Sequence, residues 1–172
     1  MQETPINMKI IGAGLMTPKI AKMYEGKYPE VLGPWWLCEK GLVKGMQFVN
    51  AYGQINSRGG DTEALYGIRP VLAVRIPGIA ENDIVELADR RLGEHPETFT
   101  CIWTMNGENA MIFCDRIVDF SPFRRDGGYD YRGSDAERTV EEFVKNIEGR
   151  KAVIRKQGAP TEPIKVPDAA ES

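Results

Sequence analysis

Apolar and polar positions along this chain alternate in short blocks rather than in long helical stripes. An apolar run over 8–15 ends in glycines and is followed by Thr17 and Pro18. Thr17 suits an N-cap and Pro18 the first helical position, where a missing N–H costs nothing. Ile20, Met23 and Tyr24 then mark a short helix closed by Gly26. Residues 35–38 (Trp-Trp-Leu-Cys) read as a buried strand and 46–49 as another, with a turn at Tyr52-Gly53 and Ile55 beyond it. Asn, Ser, Arg, Gly and Asp crowd 56–62, which predicts an exposed loop. One strand is predicted over 66–76, with Leu72, Val74 and Ile76 on one face and Val71 and Ala73 on the other. Pro70 limits ladder pairing near its start.

Downstream, Asp83 and Glu86 have the spacing of a capping box for a short helix carrying Ile84, Leu87, Ala88 and Leu92 on one face, with Gly93 as its stop. Residues 99–105 alternate, placing Phe99, Cys101, Trp103 and Met105 on one face. Asn106-Gly107 is a strong hairpin signal, and 110–114 is the return strand. Residues 120–131 read as a loop rich in Pro, Gly and aromatics. Ser134 and Glu137 then cap a second helix, whose stripe is Val140, Phe143, Val144 and Ile147 and whose stop is Gly149. The alternation of short strands with two or three helices predicts an α+β fold around a short twisted antiparallel sheet. Residues 1–157 are expected to form one such domain and 158–172, with three prolines, a flexible C-terminal tail.

Composition narrows the function classes. With 172 residues, 42% hydrophobic and 27% charged, the chain has the make-up of a globular domain large enough to do without disulfide or metal staples. Its 22 Lys and Arg against 25 Asp and Glu leave a net charge of −3, which argues against a general nucleic-acid coat. The opening Met1-Gln2-Glu3-Thr4-Pro5 has no basic segment before an apolar run, so no secretory signal is expected. Three cysteines without a close pair fit reduced thiols, and Cys101 and Cys114 lie in apolar runs where buried thiols are expected. These features lead to the expectation of a cytoplasmic protein with no membrane span, no metal and no cofactor.

Each chemical motif competes with a plainer reading. Gly12-Ala13-Gly14 begins like a dinucleotide-binding turn, yet Thr17 stands where the third glycine belongs and no acidic residue follows at ribose distance. An enzyme with a nucleotide site at that turn is therefore the minor alternative, and a glycine turn before a capped helix the main one. The lone histidine, His95, sits between Glu94 and Pro96 and reads as an exposed loop residue rather than a catalytic base. Glu137, Glu141, Glu142 and Glu148 lie on the polar side of the second helix, a solvated face. Glu81-Asn82-Asp83 resembles a calcium-binding set, but a helix cap accounts for it. Arg90-Arg91, Arg124-Arg125 and the group Arg150, Lys151, Arg155 and Lys156 are modest basic clusters. The last of these complements the dipole of the preceding helix.

Two blocks of sequence resemble a known pattern. Trp35-Trp36-Leu37-Cys38, Phe48-Val49-Asn50, Gly53, Asn56 and Gly67-Ile68-Arg69-Pro70-Val71-Leu72 resemble the "WWLRSPG … YVN..G … GVRPAL" signature of an uncharacterised domain of gut bacteria and phages. That domain is similar to the C-type-lectin-like fold of formylglycine-generating enzymes and of retroelement-diversified proteins. A second block (Leu92-Gly93, Ile102-Trp103, 110–113, and Pro122-Phe123 onward to Ser134) resembles the other half of the same pattern, with the two halves in permuted order. Cys38 and Glu39 stand where the pattern has Arg and Ser, and no position matches the catalytic cysteines or calcium ligands of the wider fold. The resemblance implies a C-type-lectin-like scaffold without its chemistry.

The resulting expectation is a non-enzymatic binding protein, phage- or prophage-encoded, acting on a macromolecular partner through loops. A narrower version is an anti-CRISPR-like inhibitor that binds a host-defence nuclease. The partner is expected to be a protein, with nucleic acid as the alternative through the basic clusters. Tyr52, Arg58, Asp61 and Tyr66 in one loop and Arg124 and Arg125 in another are the candidate contacts. Trp35, Trp36 and Trp103 are expected in the core, and Arg69 is expected to anchor a loop through its five donors.

Overall fold

The computed structural model describes residues 4–88 and 97–156. In chain order its elements are β1 (Ile6–Asn7), β2 (Lys9–Gly14), α1 (Pro18–Met23), β3 (Trp35–Lys40), β4 (Met46–Val49), β5 (Ile55–Gly60) and β6 (Tyr66–Ile68). They continue with β7 (Val71–Arg75), β8 (Ile84–Leu87), β9 (Thr98–Met105), β10 (Asn109–Cys114), β11 (Asp119–Ser121), α2 (Asp135–Ile147) and β12 (Lys151–Arg155). The class is mixed α+β, as expected, but the chain is mostly sheet and forms two sheets in place of the one short sheet expected.

Seven strands form one antiparallel sheet in the order β1-β12-β8-β9-β10-β7-β2. Its two outermost strands are consecutive pieces of the same chain, separated only by Met8. The sheet therefore curls until the 6–14 segment bridges β12 and β7. Leu72, Val74, Ile76, Val85, Phe99, Ile112 and Ala152 fill the interior, and Phe143 and Ile147 of α2 complete it. A second sheet, β11-β6-β3-β4-β5, holds the one parallel contact among the described residues, Trp35 opposite Gly67. Adjacent strand residues point to opposite faces. Trp36 accordingly packs with Met46, Phe48, Ile68, Phe123 and the α2 residues Ala136 and Val140. Trp35 packs on the other face with Met16, Leu37, Val49, Phe113 and Ile102.

The strongest local signals hold. Thr17 Oγ1 accepts the Ile20 N–H at 3.1 Å and Pro18 opens α1. Ser134 Oγ accepts from Glu137 N at 2.9 Å, although Glu137 Oε1 reaches back to Gly133 N (2.7 Å) rather than to the cap's own N–H. Asn106 and Gly107 turn the β9–β10 hairpin with φ of +62° and +70°.

Seven expectations are corrected. Gly12-Ala13-Gly14 is not a turn but lies inside β2. Residues 84–87 are strand β8, because β9 and β12 hydrogen-bond to both its edges; the expected helix beyond Ala88, with Arg90, Arg91, Leu92 and its stop Gly93, lies outside the described residues, as do the loop residue His95 and the tail 158–172. The 56–62 loop is largely strand β5, paired to β4. The 66–76 strand is two strands in different sheets, broken at Arg69-Pro70. Trp103 does not share the face of Phe99 and Cys101: the register slips between Met111 and Ile112, so Ile102 and Trp103 join the Trp35 cluster while Cys101 stays inside the curled sheet. Trp103 is half-buried there. The basic stretch after α2 is strand β12, and the 120–131 loop begins inside β11.

Val118 and Val144 each pack against both the curled-sheet core and the Trp36 cluster, which makes the cores mechanically continuous. Truncating Trp36 to Ala removes a fully buried indole and the Nε1–H bond to the Ser121 carbonyl (2.9 Å). The expected loss is ~3–5 kcal/mol, in one transition followed equally by far-UV and near-UV circular dichroism in urea. Two separated transitions, or a wild-type midpoint, would contradict the shared core.

Candidate binding surface

The most constrained surface feature is a corner where the β3–β4 connection lies directly on β5. Gly41 N donates to Gly45 O at 2.8 Å, Leu42 N to Ser57 O at 2.9 Å, and Val43 N and Lys44 N both donate to Arg58 O at 2.9 and 3.1 Å. Backbone meets backbone here, so there is no room for side chains. A Cβ on Gly45 would fall 1.6 Å from the Gly60 oxygen, and one on Gly59 or Gly41 would fall 1.8 or 2.1 Å from the Lys44 oxygen. Gly45 and Gly59 also hold positive φ, +52° and +105°. The lock presents Leu42 and Val43 to solvent at 78% and 62% exposure. Lys44 and Arg58 are exposed beside them, around a hollow of about 410 Å³ that also touches Asn56 and Gly59.

The expected contact residues divide. Tyr52, Arg58, Asp61 and Arg125 are exposed; Asp61 Oδ1 also accepts the Glu63 N–H at 2.9 Å. Tyr66 instead packs its ring 4.6 Å from both Trp36 and Phe48, half-buried in a core. Arg124 organises its own loop: Nε meets Asp126 Oδ1 at 2.8 Å, and Nη1 donates to the carbonyls of Asp130 (3.2 Å) and Arg132 (2.9 Å). The Gly128 N–H and the Arg124 guanidinium together hold the Asp126 carboxyl below its ordinary range. Leu42 and Val43 were missed. The signal was an apolar pair bracketed by Gly41 and Gly45, facing the Arg58-Gly59-Gly60 stretch.

Groups that carry chemistry elsewhere are tied into the framework. Thr98 and Thr100 donate to the two Asp115 oxygens at 2.8 and 2.7 Å. Arg116 Nε meets Glu97 Oε1 at 2.7 Å, and Lys156 Nζ meets the buried Asp83 carboxylate at 2.8 Å. Asp83 Oδ2 also accepts the Ala80 N–H (2.9 Å), so the residue read as a helix cap closes a turn instead. Among the described residues no group of three or more His, Cys, Asp or Glu could hold a metal ion, and no helix is long and apolar enough to cross a membrane. Arg69 donates to the Pro29 carbonyl, which ties down the 29–34 connection between α1 and β3, and to the Cys114 carbonyl as well.

Two outcomes follow from this geometry. Gly45→Ala and Gly53→Ala both place a side chain at positive φ, which costs about 1–2 kcal/mol, but open space surrounds Gly53 and a carbonyl blocks Gly45. The Gly45 variant is expected to lose more stability than the Gly53 variant by denaturant midpoint; equal losses would mean that the corner is not locked. Burial pushes the Cys101 and Cys114 thiols up to about 12 and raises Cys38 less far. A raised thiol pKa means less thiolate at a given pH. All three should therefore react with a disulfide reagent at pH 8 more slowly than in denatured chain, Cys38 first, and faster labelling in the native protein would contradict the burial.

No protein-family model, no curated protein and no solved structure matches this chain.

Proposed function

We propose that this chain is a non-enzymatic binding protein that engages another protein through the Gly41–Gly45 corner. The observation that carries the reading is the apolar pair Leu42 and Val43 held in water on a backbone that cannot yield. Exposed aliphatic side chains are common singly; two neighbours fixed by a triple-glycine lock are a preorganised knob. A fixed knob loses little conformational entropy on docking, so more of its buried apolar area becomes affinity. Lys44 and Arg58 beside it favour a partner whose apolar pocket is rimmed by carboxylates. The aliphatic tip favours protein over nucleic acid, since it offers no ring on which a base could stack.

The C-type-lectin-like reading of the scaffold belongs to the same proposal. What supports it is that the Trp-Trp and Gly-Ile-Arg-Pro motifs, thirty residues apart in sequence, lie side by side: Trp35 in β3 pairs with Gly67 in β6. Such a scaffold binds through loops carried on rigid strands.

Photocrosslinking tests the proposal. A benzophenone amino acid at position 43 is expected to give a discrete adduct in cells. The same probe at Met105, which is 49% exposed at the end of β9 in the seven-stranded sheet, should not give that adduct. Leu42→Asp combined with Arg58→Glu should abolish the adduct while leaving stability within about 0.5 kcal/mol, as exposed changes usually do. Identical adducts from both positions, or an adduct that survives the double change, would overturn the reading.

A further inference from the structure

A second surface has a different chemistry. Strand β2 pairs with β7 on one side only, and among the described residues no backbone hydrogen bond reaches the other edge of its Lys9–Gly14 backbone. Opposite that edge stands α2. Between them runs a groove of about 480 Å³, lined by Ile10, Ile11 and Ala13 on the strand and by Tyr131, Val140 and Val144 across from it. A further hollow of about 320 Å³ extends it past Met8 to Gly149. Ile11 is the extra residue in the β2 ladder, unpaired between Ile10 opposite Val74 and Gly12 opposite Ala73, and it is 55% exposed at the groove.

The groove combines three features that an added strand requires: a free backbone edge, apolar walls and a charged rim that selects its occupant. The rim of the main groove is acidic, with Glu137, Glu141 and Glu148 against Lys145, while Lys9 and Arg150 stand at the further hollow, so the acidic stretch is the one that faces Ile10, Ile11 and Ala13. Glu137 already accepts the Gly133 N–H, whereas Glu141 and Glu148 have no hydrogen-bond or ion-pair partner among the described residues. The rim carboxylates also help burial raise the Tyr131 hydroxyl above its ordinary range.

We propose that this groove binds an extended segment of a partner protein, alternating apolar and basic residues, as an added strand on β2. Alternate side chains of such a strand point to opposite faces, so one set meets the Ile10–Val144 walls and the other the carboxylates. Charge separates this occupant from the chain's own C-terminal stretch, where Glu162, Asp168 and Glu171 outnumber Lys165 and match the sign of the rim. The site is separate from the Gly41–Gly45 corner and does not depend on it.

The test uses the full chain and a fluorescent octapeptide of alternating valine and lysine, blocked at both ends. Binding by anisotropy should be saturable, and hydrogen exchange should slow at the amides of 10–14. A valine–glutamate peptide should bind at least tenfold more weakly, and so should a valine–lysine peptide methylated at every second amide nitrogen. Glu141→Lys with Glu148→Lys should cost at least tenfold in affinity while the melting temperature stays unchanged. Several results would overturn the proposal: no protection at 10–14; equal binding of the methylated peptide, which would mean mere charge attraction; or undiminished binding to the double variant. It would also fall if the protein alone forms a dimer protected at 10–14, or if removing 158–172 is needed before the peptide binds, since either would give the groove to another occupant.

Discussion

The fold turns on one buried cation. Arg69 stands where the chain leaves the five-stranded sheet at Ile68 and enters the seven-stranded one at Val71, and it is 1% exposed. Its guanidinium lies over Phe113 at 4.2 Å, Tyr28 at 5.1 Å and Trp35 at 5.2 Å. Nε donates to the Cys114 carbonyl at 2.7 Å and Nη2 to that of Pro29. Among the described residues no carboxylate forms an ion pair with it, and the Asp115 charge acts on it only from a distance. Burial lowers its pKa to about 10, which leaves it charged at neutral pH. Taking such an ion out of water costs several kcal/mol, and each desolvated cation–π contact returns on the order of 2 kcal/mol. The three rings and two carbonyls must therefore all be in place. That requirement ties the 29–34 connection, the start of β3 and the end of β10 to a single point.

Reading such a fold from sequence succeeds where one segment decides its own structure. α1 and α2 were legible because capping hydroxyls, Pro18 and the Val140–Ile147 stripe act within one or two turns. The hairpin was legible because Asn106-Gly107 accepts positive φ. β8 was not, because Ile84, Val85 and Leu87 fit helix and strand spacing alike in so short a run. Its identity is set by β9 and by β12, which lies more than sixty residues away. β12 itself was hidden by terminal Lys and Arg, which suggested solvation, while Ala152 and its neighbours complete a ladder.

The surface was legible to a different degree. Composition marked 56–62 as exposed, and Arg58 and Asp61 are exposed, yet the glycines there serve a close backbone approach rather than a flexible loop. Tyr66 and Arg124 drew notice as an aromatic and a cation in candidate loops. Their roles depend on Trp36, Phe48 and three acceptors that only the folded chain brings to them. Leu42 and Val43 illustrate the converse: an apolar residue in sequence implies burial, and only backbone contacts with 57–60 show that these two are kept outside.

The curled sheet stays open along part of β2 because of how α2 packs. Further pairing of β2 with β12 would close it, as Ile6 opposite Ala152 and Asn7 opposite Lys151 already do below Met8. Helix α2 faces this edge across the groove and leaves no path for β12 to reach it, and the helix cannot withdraw, because it serves two cores at once. Phe143 and Ile147 complete the interior of the curled sheet, while Ala136 and Val140 pack against Trp36, Phe48 and Ile68. Moving the helix aside to join the strands would strip apolar cover from both clusters, at roughly 25 cal/mol for each Å² returned to water. A few ladder hydrogen bonds, each worth about 1 kcal/mol net, would have to offset the loss of four buried side chains. The open edge is thus a consequence of the packing that joins the two sheets.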